Sequence, residues 1–167
     1  VSWAREMCIR DSVGGGHAEH FLREVAKRFE IIIFTASERP YAENVLSQLD
    51  PHGSLIDYVL CREDCLFIEG EFVKDLNTLG RDMRRVALVD NRPEMYCFQI
   101  NNGIPISSWF DDRQDCELLR LLPSLERLAS ISRTAGDAAD PDRFDVRGHL
   151  EGRRHGARRR VPRAAPL

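Results

Sequence analysis

Two polar side chains that could bind a phosphate follow apolar segments of the chain. Thr35 comes directly after the apolar run 31–34, and Asp90 comes directly after the run 86–89. The carboxyl ends of parallel strands meet at one edge of an open α/β sheet, and ligands bind at that edge. We therefore expect the hydroxyl group of Thr35 and the carboxylate of Asp90 to face a common site.

A third group, Lys74, lies between these two in the chain. It is one of only two lysines, against 22 arginines. A hydroxyl and an ammonium group can hold phosphoryl oxygens, and a carboxylate beside an amide, here Asp90 and Asn91, can hold Mg²⁺. Each residue alone is more often structural, as a cap, a solvated cation or a turn, but their order predicts phosphate chemistry that uses Mg²⁺.

The surrounding segments alternate between helix and strand patterns. Apolar spacing predicts a helix over 17–29, and continuous apolar runs at 30–35 and 86–89 predict strands covered on both faces. Ser37 is the predicted N-cap of a helix over 38–49. Shorter elements follow the same logic: strands over 58–61 and 104–106, a hairpin from 66–68 and 72–73, a short helix over 93–99 and an amphipathic helix over 115–129. The pattern indicates an α/β fold with a parallel central sheet and an inserted β-hairpin.

Six motif blocks, in the same order along the chain, resemble the small carboxy-terminal-domain phosphatases. They are Phe34-Thr35-Ala36-Ser37, Tyr41-Ala42, Val73-Lys74-Asp75-Leu76, Leu79-Gly80-Arg81-Asp82, Val89-Asp90-Asn91-Arg92-Pro93 and Ser108-Trp109-Phe110-Asp111. The resemblance covers roughly residues 17–130. It implies a haloacid dehalogenase-like three-layer fold and an Mg²⁺-dependent protein serine/threonine phosphatase, which acts through a phosphoaspartyl intermediate on phosphoserine tails such as that of RNA polymerase II.

The resemblance also implies a role for each matching residue. Thr35 would hydrogen-bond a phosphoryl oxygen, and Lys74 would neutralise the phosphoryl charge in the intermediate. Asn91 would be a direct Mg²⁺ ligand, and Asp90 would support both the metal and Lys74.

Two further matches would contact the substrate. Arg62 corresponds to a position that touches the substrate phosphate, and Tyr41 to an aromatic position near the peptide groove, although packing is the more common role of such a tyrosine. The partner implied is a phosphoserine-containing protein or peptide, and the implied location is the nucleus or the cytoplasm.

The chain departs from the family at its first motif. The family requires Asp-x-Asp-x-Thr after the central strand, where the first aspartate attacks phosphorus and the second protonates the leaving oxygen. The only Asp-x-Asp here is Asp140-Pro141-Asp142, which no threonine follows. We therefore expect a fragment that lacks the nucleophile strand and is inactive alone, with unpaired strands beside the gap.

Charge and composition suggest three segments. Residues 1–16 are interpreted as a non-native or flexible leader, 17–133 as a partial phosphatase domain and 134–167 as a disordered Arg-rich tail. The tail carries a net charge of +3 and the rest of the chain −6. Such a basic tail could contact nucleic acid, an acidic protein or a nuclear import receptor, but a solvated tail is the more common case, and we expect no nucleic-acid binding by the rest of the chain. The sequence has no apolar run near the ~18 residues of a membrane span, and its five cysteines predict reduced thiols.

Two non-catalytic interpretations stay open. Asp50-Pro51-His52-Gly53 resembles a segment of the mitochondrial presequence-binding import subunit, which shares this fold without being an enzyme. The other is a pseudophosphatase scaffold that never carried the aspartates, in which case residues 1–16 are native.

Overall fold

The central sheet has five strands, all parallel. The computed structural model describes residues 2–4, 17–108, 112 and 114–136. Its strands are β1 (Ser2–Ala4), β2 (Ile32–Phe34), β3 (Tyr58–Leu60), β4 (Leu66–Ile68), β5 (Glu71–Val73), β6 (Leu88–Asp90) and β7 (Gly103–Pro105). The main sheet has the order β3-β2-β1-β6-β7, while β4 and β5 form a separate antiparallel pair. The predicted parallel sheet with an inserted hairpin is confirmed.

Within the described residues the strands are accompanied by α1 (His17–Ala26), α2 (Arg39–Leu49) and α3 (Glu117–Gly136). The 3₁₀ helices of the same part of the chain span Arg62–Asp64, Leu76–Leu79, Met83–Arg85 and Pro93–Asn102. No helix in the part of the chain that the structure describes is long and apolar enough to span a membrane.

The two faces of the sheet are covered by different elements, because successive strand residues point to opposite sides. Ile31 and Ile33 pack with α1 and α3, whereas Ile32 and Phe34 pack with the segment 76–96 on the other face. The continuous apolar run 31–34 therefore contributes side chains to the hydrophobic cores on both faces of the sheet, as expected of a strand in the middle layer of three.

The centre of the sheet corrects one prediction. We expected the central strand to be missing, but β1 lies between β2 and β6 and is parallel to both. Its three residues, Ser2, Trp3 and Ala4, include no carboxylate. An extended segment in this position pairs the backbone groups of β2 and β6 that would otherwise be unsatisfied.

Several predicted boundaries also differ, and α1 ends at Ala26 and not at residue 29. The N-cap of α2 is Glu38 and not Ser37, and its side chain makes no capping hydrogen bond. The backbone N–H of Ser37 donates to Thr35 Oγ1 at 3.1 Å. Helix α3 spans Glu117–Gly136, whereas the predicted helix spanned 115–129. Residues 5–16, the block 109–111 and the tail from 137 onward lie outside the described residues.

The buried carboxylate of Asp50 fixes the loop that follows α2. Asp50 accepts backbone N–H bonds from Ser54, Leu55 and Ile56 at 3.0, 2.8 and 3.0 Å. Burial alone would raise the pKa of Asp50, but these bonds outweigh it and lower the pKa.

Two positions depend on glycine. At Gly103 a β-carbon would overlap the ring of Tyr96, which is buried. The β4–β5 turn places Glu69 and Gly70 at φ of 51° and 88°, the positive values of a two-residue type I′ hairpin.

Candidate active site

The most buried charges in the described structure belong to Lys74 and Asp90. Lys74 follows β5, Asp90 ends β6, and Nζ lies 2.7 Å from Oδ2. The side chains are 2% and 1% exposed. Asp90 Oδ1 also accepts the backbone N–H of Arg92 at 2.8 Å. Burying charged groups is costly unless they are paired, and the pair places an ammonium group held by a carboxylate at the carboxyl end of the sheet.

Thr35 lies at the same edge. It follows β2, is 7% exposed and donates its backbone N–H to the carbonyl of Leu60 at 2.9 Å. Strand β1 separates β2 from β6, and Ala4 at its carboxyl end is in register with Asp90. The sheet order therefore places Thr35 on one side of the end of β1 and the Lys74–Asp90 pair on the other.

Asn91 contributes an amide whose orientation its hydrogen bond indicates. Its Nδ2 donates to Ser108 Oγ at 2.8 Å, so Oδ1 is the atom that would face a cation. Carboxylate and amide oxygens suit Mg²⁺. Within the described residues, however, no group of three or more His, Cys, Asp or Glu side chains could hold a metal. The donors of Asp90 and Asn91 fit Mg²⁺ in kind but not in number.

Arg62 is placed beside the loop that follows β2. Its Nε donates to the carbonyl oxygen of Ala36 at 2.8 Å, and Nη1 lies 3.0 Å from Glu38 Oε1. The guanidinium carbon is 5.0 Å from the centre of the Phe72 ring on the hairpin, within the range of a cation–π contact. Arg62 therefore links the Thr35 loop to β5, the strand that leads into Lys74.

Tyr41 is a surface residue in the first turn of α2. Its side chain is exposed, and its backbone N–H donates to the carbonyl of Glu38 at 3.1 Å. Tyr41 therefore lies near the start of α2, and none of its described contacts reaches the Lys74–Asp90 pair.

The cysteines in the described part of the chain are free thiols, as predicted. Burial raises the pKa of Cys61, so its thiol stays protonated at neutral pH and does not serve as a nucleophile. Cys65 donates weakly to the backbone carbonyl of Thr35, with Sγ 3.8 Å away. Cys65 Sγ also lies 3.7 Å from the carbonyl oxygen of Cys61, so both cysteines lie in the loop around Arg62.

Sequence reasoning missed the residues that hydrogen-bond Lys74 and the two residues after it. The backbone N–H of Lys74 donates to the carbonyl of Met95 at 2.6 Å, and the side chain of Gln99 contacts Asp75 and Leu76. These partners are more than twenty positions apart, so no local pattern signals the contacts.

Comparison with known proteins identifies the family of this chain. Residues 9–135 match the family model described as NLI interacting factor-like phosphatase. "CTD small phosphatase-like protein 3" of Caenorhabditis elegans is 46% identical over 80% of this chain and 46% of its own length. Human "Carboxy-terminal domain RNA polymerase II polypeptide A small phosphatase 1" is 44% identical over 69% of this chain and 44% of its own length.

A solved structure supports the fold. The structure of Fcp1, described as an essential RNA polymerase II CTD phosphatase, superimposes with a TM-score of 0.66 at 18% identity. The match covers 80% of this chain and 52% of that one. The chain thus spans about half the length, or less, of the proteins named here.

Proposed function

Because the chain belongs to the family of NLI interacting factor-like phosphatases, we propose that it supplies the phosphate-binding part of a domain that dephosphorylates serine or threonine in proteins. The observation that carries the proposal is the buried Lys74–Asp90 pair at the carboxyl edge of the sheet, with Thr35 on the opposite side of β1. By analogy with the names of its relatives, the proposed substrate is a phosphoserine tail like that of RNA polymerase II.

The chain's own residues would act mainly through electrostatics. The hydroxyl of Thr35 donates to one phosphoryl oxygen, and the ammonium of Lys74 neutralises charge that develops on another. Asp90 holds Lys74 in place by the 2.7 Å ion pair. Arg62 is exposed enough to exchange Glu38 for the substrate phosphate, because its guanidinium is partly in solvent.

Mg²⁺ is part of this proposal for the complete domain. When bound, it would supply Lewis-acid stabilisation of the phosphoryl group. Asn91 Oδ1 and Asp90 would be the ligands that this chain contributes, and further oxygen ligands would have to come from the absent first motif. No step in the present chain depends on the metal.

The 167 residues contain no Asp-x-Asp-x-Thr, and the strand in the central position ends at Ala4, opposite Asp90. We therefore propose that this polypeptide alone does not hydrolyse phosphoesters, because a site without a nucleophile offers only binding and charge. Nuclear or cytoplasmic location stays a proposal by analogy with the same relatives.

The test replaces residues 1–16 with the first-motif segment of the C. elegans relative. We expect no Mg²⁺-dependent hydrolysis of an aryl phosphate or a phosphoserine peptide by the original chain, and measurable hydrolysis by the chimera. A chimera in which both motif aspartates are changed to asparagine is the matched control. Turnover by the original chain, or a folded chimera without turnover, would contradict the proposal.

A second candidate is a non-catalytic scaffold that binds phosphoproteins. The observation in its favour is that β1, a strand without a carboxylate, already occupies the central position. Binding of a phosphoserine peptide to the original chain, with an inactive chimera, would favour this candidate. The presequence-binding alternative stays a prediction that no observation here tests.

A further inference from the structure

A single side-chain amide connects to both residues that follow Lys74. Gln99 Nε2 donates to Asp75 Oδ1 at 2.7 Å, and Gln99 Oε1 accepts the backbone N–H of Leu76 at 3.0 Å. The backbone N–H of Lys74 itself donates to the carbonyl of Met95, four positions before Gln99. The backbone on both sides of the Lys74 side chain is therefore bound to one short segment.

These two bonds involve groups that need partners. Leu76 is fully buried, and a buried N–H without an acceptor costs about 1–3 kcal/mol. Asp75 also accepts the backbone N–H of Asn77 at 3.0 Å and so caps the 3₁₀ helix Leu76–Leu79. Gln99 thus fixes both the orientation of the Asp75 carboxylate and the start of that helix.

The backbone at Gln99 departs from helical geometry. The 3₁₀ segment Pro93–Asn102 is interrupted at Tyr96 and at Gln99, and φ is −125° and ψ is 48° at Gln99. The segment begins three residues after Asp90, the partner of Lys74. Lys74, through the bonds of its own backbone and of the two residues after it, and Asp90, through its position in the chain, are therefore both attached to the segment Pro93–Asn102.

We propose that Gln99 is a positioning residue that keeps the ammonium group of Lys74 on the Asp90 carboxylate. It acts through Asp75 and Leu76 and touches neither charged atom itself. The role of Lys74 in binding phosphate rests on the proposed function, whereas the restraint on its ammonium group is a property of the fold and can be measured without any activity.

The composition of the chain makes the measurement direct, because Lys27 is the only other lysine. Its side chain is 60% exposed and pairs with Glu24 on the surface of α1, so its ammonium protons should exchange rapidly with water. In protein labelled with nitrogen-15 lysine, NMR should show one slowly exchanging ammonium signal from Lys74. Lys27→Arg assigns the two signals.

Gln99→Ala removes two hydrogen bonds and should accelerate exchange of the Lys74 ammonium protons by at least about tenfold, the factor that corresponds to losing one bond of ordinary strength. Gln48→Ala is the matched control, because Gln48 makes its side-chain bonds to Asn44 on the exposed face of α2. The control should leave the Lys74 signal unchanged. Asp50→Asn serves as a second control that lowers global stability at a distance from Lys74.

A reciprocal exchange of donor and acceptor provides the rescue. Gln99→Glu alone removes the donor to Asp75 and places two carboxylates together, so exchange should be fast. Asp75→Asn/Gln99→Glu restores one donor and one acceptor in reversed order, and should return the exchange rate to within about threefold of the original, a difference of less than one ordinary hydrogen bond.

The proposal is overturned if Gln99→Ala folds and its Lys74 signal exchanges as slowly as in the original chain, or if Asp50→Asn accelerates it equally. If Gln99→Ala does not fold, the Gln99→Glu variant and its rescue decide the question in the same way. Failure of the phosphatase proposal would leave these exchange rates untouched, so the two outcomes are distinguishable.

Discussion

Lys74 Nζ lies 2.7 Å from Asp90 Oδ2, in a place where both side chains are almost completely shielded from water. Lys74 arrives from the inserted hairpin and Asp90 from the central sheet, so this one contact joins the two sheets of the molecule at the edge where a phosphate would bind. Burial strengthens this ion pair but also limits the access of a substrate phosphate to Lys74.

Removing one partner of this pair should be more damaging than removing both. Lys74→Met leaves an uncompensated buried carboxylate and should lower the free energy of unfolding by about 3–5 kcal/mol. Lys74→Met/Asp90→Leu should lower it by less than Lys74→Met alone. Urea denaturation of the four proteins measures the coupling, and strictly additive effects would show that the pair is not a unit.

Acid should weaken the protein through Asp50. Its pKa is lowered in the folded state, so its stabilising effect is complete above the unfolded-state pKa of about 3.9 and is lost as the pH falls through the folded-state value. Asp50→Asn should cost about 1.5–3 kcal/mol at neutral pH and flatten the loss of stability below about pH 4. Chemical denaturation at several pH values measures both effects. Glu43→Gln is the control, because Glu43 is exposed. An equally steep acid profile in Asp50→Asn would contradict the assignment.

Gly103→Ala should force the ring of Tyr96 out of its position. The new methyl group would overlap Cε2, Cζ and Oη of Tyr96, a residue that is 1% exposed and has no room to retreat. Overpacking of this kind costs about 1–3 kcal/mol. Thermal unfolding should show the loss, and Gly103→Ala should cost much less when Tyr96 is already leucine. A full penalty in that background would mean that the ring is not the obstacle.

The hairpin turn can be improved. Glu69 has φ of 51°. Asparagine adopts positive φ values more readily than glutamate, and Asn-Gly is the preferred pair in a type I′ turn. Glu69→Asn should stabilise the protein by less than about 1 kcal/mol, whereas Gly70→Ala, at φ of 88°, should destabilise it. Amide hydrogen exchange of residues 66–73 would register both changes, and a destabilised Glu69→Asn would argue against this turn type.

Arg62 should matter for substrate affinity more than for stability. In the chimera that carries the first motif, Arg62→Ala should raise KM for a phosphoserine peptide about tenfold, as expected for one charge-assisted hydrogen bond. Arg39→Ala is the control, because Arg39 is also partly exposed but pairs with Glu63 and Asp64. Equal KM values for the two variants would remove Arg62 from the proposed binding site.

The sequence predicted the elements whose signal is local. The apolar run at 31–34 and the polar residues after each strand were enough to place Thr35 and Asp90 at one sheet edge. Three features escaped prediction for physical reasons. The N-cap of α2 falls on Glu38, although Ser37 has the side chain that caps helices more often. Gln99 bonds to residues more than twenty positions away, and the three-residue strand β1 is too short to show a pattern of its own.

The position of β1 has a kinetic consequence. It lies between two pairs of strands, β2 with β3 and β6 with β7, and is the only strand of the described main sheet that bonds to both. Its partners in β6 are more than 80 positions away along the chain. Loops of that length must close before such contacts repay their entropy. The two halves should therefore form first and separately, and completion of the sheet through β1 should be the slow step of folding.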